Sequence, residues 1–197
     1  MNLFNKILFR CVYWFRAPWD VGGPQPIVKE LIERGDITGR VLDVGCGTGD
    51  TAIFLAQKGY AVMGIDFIPQ AIALASARAK SAGSEISFRV FDALKLDQLH
   101  ERFDTIFDAG LFHNLSNTDR IRYTKSLEAA LEPGGAFHML CFSDSQPGFI
   151  GPRRITKEEI CRTFAQDWRI DSIRATRYKA YYPIGGAEAW IASIRKV

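Results

Sequence analysis

The feature that most constrains this chain is Val41-Leu42-Asp43-Val44-Gly45-Cys46-Gly47-Thr48-Gly49, an apolar run that ends in alternating glycines. A helical pattern, DTAIFLAQK, follows at once. A strand buried on both faces reads as a nearly continuous apolar run, and glycines after it let the backbone pass close beneath a ligand. The rest of the chain keeps up the alternation this opening sets. Short apolar or β-branched runs fall at 40–44, 61–66, 86–91, 103–108 and 136–142, with helical stretches at 50–58, 69–82 and 118–131 between them. Pro69 stands in a first helical turn, where its missing N–H costs nothing. Pro133-Gly134-Gly135 breaks the chain before the fifth strand. Thr156 with Glu159 three residues on is a capping-box pattern opening a helix over 156–164, and 168–176 and 187–195 read as a closing pair of strands. The expected fold is α/β: a doubly wound sheet of seven mostly parallel strands. A length of 197 residues suits one domain over 1–197, with a helical cap at 1–36 and the α/β core at 37–197.

In such a sheet, ligands bind beyond the carboxyl ends of the strands, at the point where strand order reverses. The glycines at 45, 47 and 49 are spaced GxGxG, and Asp50 stands where the third glycine of a dinucleotide-binding turn would fall. Asp43, two residues before the first glycine, would repel a pyrophosphate and attract a cation. The turn therefore favours a cationic nucleoside over a phosphate-bearing one. Asp66 ends the second strand, where an acid can accept both ribose hydroxyls. Asp92 ends the third, suited to an exocyclic amino group, and Asp108 ends the fourth. Any one of them is equally well a turn or N-cap aspartate. Four successive strands with such an acid favour a ligand.

Charge and cysteine content narrow the rest. A net charge of +3 argues against a dedicated nucleic-acid binder. Cys11, Cys46, Cys141 and Cys161 form no metal-ligand or disulfide spacing, so no metal is expected and a reducing cytoplasmic compartment fits. The N-terminal apolar stretch is interrupted by Lys6, Arg10 and Arg16, which argues against a membrane span or a signal peptide. Phe4, Leu8, Val12 and Phe15 recur at helical spacing. An amphipathic helix there packs on its own domain, forms a lid over the ligand, or lies on a membrane surface.

VLDVGCGTG, GIDFIP, VFDAL, FDTIFDAG and LEPGG, in this order, resemble the motif series of class I S-adenosylmethionine-dependent methyltransferases, over roughly residues 38 to 142. The resemblance implies a Rossmann-like fold and S-adenosylmethionine as cofactor. It implies Gly45, Gly47 and Gly49 under the methionine part, Asp66 on the ribose, and Asp92 with Ala93 at the adenine; Asp43, Cys46, Thr48, Phe67, Asp108 and Ala109 are further candidates for contact with the cofactor. A second resemblance is narrower. Ala17-Pro18-Trp19-Asp20-Val21-Gly22 is similar to the TPWDxG segment of halide and thiol methyltransferases, which belong with the thiopurine methyltransferases. DAGLFHNL and CFSDSQPG…GPRRIT resemble small bacterial members that methylate thiols, quinols or heteroaromatics. In that group an N-terminal Trp covers the methionine side, a role carried here to Trp19. A Trp face beside a sulfonium is a sound cation–π contact, and a core Trp anchoring the N-terminal segment is the alternative. Tyr13 and Trp14 depart from that group's more polar approach to this segment.

The resemblance points to a small-molecule acceptor and no nucleic acid. A thiol ionises near neutral pH and needs no base, whereas a phenol benefits from one. His113 is the candidate general base, or else a polar pocket wall. Tyr13, Trp14, Phe112, His113, Arg153 and Tyr182 are candidates for contact with the acceptor, with Tyr178 and Tyr181 near them in the sequence. Arg153, Arg154, Arg174, Arg177 and Lys179 read mainly as a solvated face, while Arg153 could orient an anionic acceptor. The loop after the fourth strand lacks the Asn/Asp-Pro-Pro-Tyr/Phe arrangement of amino-group methyltransferases. The leading expectation is transfer to a thiol or other soft nucleophile, then O-methylation of a phenol, hydroxyquinone or heteroaromatic. A non-catalytic S-adenosylmethionine-binding module at a membrane surface is the reading from a different class.

Overall fold

The computed structural model describes residues 17–149 and 151–197. The candidate helix over Phe4–Phe15, and with it Tyr13 and Trp14, lies outside the described residues. Seven strands form one sheet in the order β3-β2-β1-β4-β5-β7-β6. They are β1 Arg40–Val44, β2 Ala61–Asp66, β3 Ser87–Val90, β4 Phe103–Ala109, β5 Leu131–Phe142, β6 Trp168–Tyr178 and β7 Ala187–Lys196. The first five pair in parallel, and β7 runs antiparallel to both β5 and β6. Strand order reverses between β1 and β4, so the carboxyl ends of these two strands frame the switch-point crevice.

The alternation within each strand feeds two apolar layers. Leu42, Val44, Ile106, Phe137, Met139 and Cys141 join one core cluster. Val41, Phe107, Leu140 and Phe142 join the other. Helices α1 Pro26–Glu33 and α2 Asp50–Gln57 serve the second layer through Ile27, Val28, Leu31 and Leu55. Helix α3 Pro69–Ser81 runs beside β2 and β3. Helices α4 Asn117–Ala130 and α5 Lys157–Thr163 serve the first layer through Tyr123, Leu127 and Ile160. The capping box is present: Thr156 Oγ1 accepts the Glu159 N–H, and the Glu159 carboxylate accepts the Thr156 N–H, each at 3.1 Å.

Three local differences from the sequence reading have physical causes. The Pro133-Gly134-Gly135 break is an excursion inside β5: pairing with β4 at Phe103↔Leu131 resumes at Thr105↔Ala136, because proline offers no ladder N–H and Gly134 sits at φ 74°. Helix α1 falls inside the expected 1–36 cap, and its eight residues carry just over two turns, too short a stretch for periodicity to mark its bounds. The segment after β3 forms a 3-10 helix, Ala93–Leu99, capped by the Asp92 carboxylate accepting the Leu94 N–H at 3.0 Å.

Candidate active site

A cavity of about 770 Å³ opens over the carboxyl ends of β1, β2, β4 and β5. Its floor is the glycine turn. Gly45 adopts φ 70° and Gly47 φ 54°, the left-handed region that glycine enters without a Cβ penalty. The Asp66 carboxylate accepts the Gly47 N–H at 3.1 Å and the Ile68 N–H at 2.8 Å, fixing the turn to the end of β2. Trp19, Asp43, Gly45, Cys46, Gly47, Thr48, Asp66, Phe67 and Ala109 all line this cavity. A slot of about 50 Å³ adjoins it, walled by Asp66, Phe67, Phe91, Asp92, Ala93, Leu94, Leu111 and Leu115. Gly45, Asp66, Phe67 and Leu111 line both spaces, so slot and cavity meet at the switch point.

The strand-end carboxylates, alike in sequence, differ in their work. Asp43 is buried, and its Oδ2 has no hydrogen-bond partner. Burial pushes its pKa up to about 8; Asp108, Asp66 and Asp50 add to the rise and the Ala52 N–H opposes it. Asp66 is pushed up to about 6 by burial against its backbone donors. Asp108 lines neither space, which corrects its assignment to the ligand. It is fully buried and accepts from the Leu111 N–H (2.7 Å), the Phe112 N–H (3.1 Å) and the Tyr123 hydroxyl (3.0 Å), so it builds the turn after β4.

Four further expectations are corrected. Gly49 lines neither space. It caps α2 at φ 85°, and a Cβ there would stand 2.9 Å from Phe88 Cζ and 3.0 Å from Ala75 Cβ, so it serves packing. Phe112 is a core side chain, stacked on Phe164 at 6.0 Å between centroids. Arg153 is exposed and bonds Glu159 and Asn117, while its neighbour Arg154 lines the cavity. His113 does line the cavity, but its Nδ1 accepts the Phe142 N–H at 3.1 Å. A backbone N–H only donates, so the neutral ring carries its proton on Nε2. Burial first, then the charges of Arg120 and Arg154, hold its pKa down to about 3. A base needs a free lone pair and a stable protonated form, and His113 has neither. It is a donor.

Two further groups of residues shape the site through contacts between distant parts of the chain. Arg78 on α3 donates to Asp20 Oδ1 (2.9 Å) and Oδ2 (2.8 Å), Thr48 Oγ1 (2.8 Å) and Asp50 Oδ1 (3.1 Å), and Asp50 also accepts the Gly23 N–H at 3.0 Å. This hub ties the Trp19 segment to the glycine turn. The signal was present: two acids, in the WD and GTGD motifs, call for a cation between them. From the other side, Gln25 exchanges hydrogen bonds with the backbone of Lys179, and the Tyr181 N–H reaches Pro18 at 2.8 Å. Trp19 thus lines the cavity while packing against the second core layer. The far wall holds Phe142, Tyr178, Tyr182, Pro183 and residues 146–149 and 151–152. A Cβ at Gly110 would stand 3.0 Å from the Tyr178 hydroxyl and 3.3 Å from His113 Nε2, so both polar atoms converge over that glycine. Among the described residues, no cluster of side chains is arranged to hold a metal ion.

Comparison with known proteins gives this geometry its class. Residues 41–135 match the family model described as a methyltransferase domain. Over 88% of this chain and 79% of the relative, the sequence is 35% identical to the 2-heptyl-1-hydroxyquinolin-4(1H)-one methyltransferase of Mycobacteroides abscessus. It is 31% identical to probable thiol methyltransferase 2 of Arabidopsis thaliana, over 64% of this chain and 57% of that one. A solved structure described as "Conversion of a Disulfide Bond into a Thioacetal Group during Echinomycin Biosynthesis" superposes with a TM-score of 0.87 at 34% identity, covering 96% of this chain and 92% of that one. The chain belongs to the class I S-adenosylmethionine-dependent methyltransferases. It is an enzyme that methylates small molecules, with S-adenosylmethionine as cofactor. The residues present fit that cofactor: an unpartnered buried carboxylate oxygen and an acid-lined floor suit a cation, and a narrow apolar slot adjoins them.

Proposed function

We propose that this enzyme methylates a small soft nucleophile, a thiol or related sulfur compound, that reaches the site already able to attack. The observation carrying this reading is His113, buried, neutral and protonated on the nitrogen opposite its backbone bond. Among the described residues of the far wall, Tyr178 is unsuited to take a proton near neutral pH, since burial raises its hydroxyl and that group donates to the Ala109 carbonyl at 3.1 Å. Bound S-adenosylmethionine supplies a methyl group already activated by its sulfonium. The protein's part is alignment and exclusion of water. In this reading Asp43 takes the ammonium of the methionine part, Gly45–Thr48 support it, and Trp19 covers it. Asp66 takes the ribose, and the slot bounded by Phe67, Asp92 and Ala93 takes the adenine. Nε2–H of His113 donates to the acceptor, and Tyr182 rims its entrance.

A second reading, O-methylation of an acidic heteroaromatic hydroxyl, is favoured by the similarity to the hydroxyquinolone enzyme along most of the chain. It shares the need for an acceptor that ionises without a base. A reducing cytoplasmic setting suits a thiol substrate, and the described cysteines Cys46, Cys141 and Cys161 are free. Labelled S-adenosylmethionine assayed against thiols, hydroxyquinolones and unactivated phenols tests both. Thiols are expected to accept label fastest and simple phenols least. In His113→Gln, thiol turnover should fall by no more than about tenfold, the scale of one hydrogen bond. Fast methylation of simple phenols that is lost by orders of magnitude in His113→Gln would restore the general base and sink this reading.

A further inference from the structure

Among the described residues, the most exposed large apolar side chains are Phe149 and Ile184, each 94% exposed. A lone apolar side chain in water is ordinary. These two, however, sit on the loops that follow β5 and β6, and both loops line the catalytic cavity. One residue anchors both loops. The Glu188 N–H donates to Gln146 Oε1 at 2.6 Å, and the Glu188 carboxylate pairs with Arg177. Arg177 also donates to the carbonyls of Gly185 at 2.9 Å and Gly186 at 3.1 Å. The exposed side chains are therefore carried on fastened loops.

The wall these loops build is apolar at every depth. Phe142 and Tyr178 are buried, Pro152 and Pro183 half-buried, and Phe149 and Tyr182 exposed, so the wall runs from the interior out to solvent. Its polar side chains serve their own loops: Gln146 accepts from Glu188, and Arg154 donates to the carbonyls of Gln146, Pro147 and Pro152. Among the described residues, the carboxylates lining the cavity are Asp20, Asp43, Asp50 and Asp66, all at the glycine-turn end. A pocket of about 300 Å³ already holds a small ligand. The cavity of about 770 Å³ therefore has room for the methionine part of the cofactor and an extended second molecule.

We propose that this wall is a subsite for an apolar arm of the acceptor, an alkyl or aryl chain running from Phe142 out to Phe149 and Tyr182, and that these two residues set specificity for it. The proposal rests on the reading that a small soft nucleophile is methylated here, and it adds what that nucleophile carries. The reacting group lies deep, beside His113 and Tyr178, and the arm covers apolar surface that water otherwise wets. Burying that surface tightens binding in proportion to the area removed from water. An arm that ends between the two loops gains less per added group than one enclosed on all sides.

Calorimetric binding of 4-alkylthiophenols and of the matching 4-alkylphenols, to protein saturated with S-adenosylhomocysteine, tests this. From the methyl to the hexyl compound, affinity is expected to rise at least tenfold in both series; full burial would give about fourfold for each methylene. Phe149→Ser and Tyr182→Ser should each cut that gain at least threefold, and Phe149→Leu should keep it. Ile184→Ser removes an equally exposed side chain that does not line the cavity, and should leave the gain within twofold of wild type. A wild-type gain below tenfold overturns the proposal, as does a gain unchanged in both serine variants at the cavity. An equal loss in Ile184→Ser also overturns it, because the loops would then be a general apolar surface. Loss of binding to phosphatidylcholine vesicles in Phe149→Ser, with the gain intact, would assign the rim to lipid instead. Failure of both series to bind at millimolar concentration counts against it equally. The two claims fail separately: methyl transfer to thiophenols with no gain along the series removes the arm subsite alone, and a gain without transfer to any thiol removes the sulfur acceptor alone.

Discussion

Asp108 takes three donors into one buried carboxylate, and nothing else in the turn after β4 can replace it. Asparagine has the same shape but turns one acceptor oxygen into an NH2 that would face N–H groups. Asp108→Asn is therefore expected to cost about 2–3 kcal/mol, the scale of buried donors left unmet. In a chain of this length that lowers Tm by roughly 4–12 °C, measurable by thermal denaturation. Asp108 touches neither ligand space, so S-adenosylhomocysteine affinity of the folded protein should stay within about threefold of wild type. A loss of affinity without loss of stability would return Asp108 to the ligand. At this scale the sequence located the acids but could not rank them. Asp43, Asp66, Asp92 and Asp108 all follow apolar runs, and only three-dimensional neighbours separate a cavity wall, a turn clamp, a helix cap and a buried hub. His113 shows the same limit. Its position past β4 was legible, while its tautomer depends on a strand end 29 residues away.

Between elements, the Arg78 hub joins α3, the glycine turn and the segment carrying Trp19. Arg78 is partly exposed and so partly screened, but Asp20 is nearly buried. Arg78→Ala should release the segment 17–25. Amide exchange at Gly23, whose N–H bonds Asp50, is expected to quicken by at least tenfold, about 1.4 kcal/mol of local stability, while amides of β1 and β4 stay protected. Unchanged exchange at Gly23 would show the segment to be held by Gln25 and Tyr181 alone. Elements themselves were largely readable because period and punctuation are local. Strands and helices of the βαβ units fall within a few residues of expectation, and Thr156 caps α5 as its spacing indicated. What escaped was non-local: Arg78 lies 58 residues from Asp20, and the 179–181 backbone that clasps Gln25 and Pro18 comes from the far end of the chain.

For the whole molecule, buried carboxylates make stability fall with rising pH. Asp43 and Asp108 have folded pKa values of about 8 and about 7, well above an unfolded aspartate near 3.9, so the native state holds protons that the unfolded chain has lost. Their contribution is whole below pH 4 and disappears as pH climbs through the folded values. His113 and His138, with lowered pKa values, act oppositely but only below about 6.5, where an unfolded histidine gains its proton. Between pH 6.5 and 8 the carboxylates act alone. The ligand-free protein should lose stability across that window, by up to about 1.4 kcal/mol per pH unit for each group still protonated. Asp43→Asn should flatten the slope, and S-adenosylmethionine, a cation beside these acids, should restore stability most at the alkaline end. A ligand-free Tm that rises from pH 6.5 to 8 would contradict this.

The strand order leaves β6 at the rim of the sheet, and this gives the basic character of the last third of the chain a meaning of its own. A bare strand rim is a template on which another chain can lay itself, and charged side chains are a common way to prevent that. Along β6, Arg169 pairs with Asp171, Arg174 with Glu30, and Arg177 with Glu188, so the guanidinium groups are fixed in place along the rim. Glu30 belongs to α1, so this armour includes a clasp between the sheet's margin and the N-terminal half. Paired charges along an outer strand make that rim a poor template for strand addition, and the same strand ends in Tyr178 at the wall of the catalytic crevice.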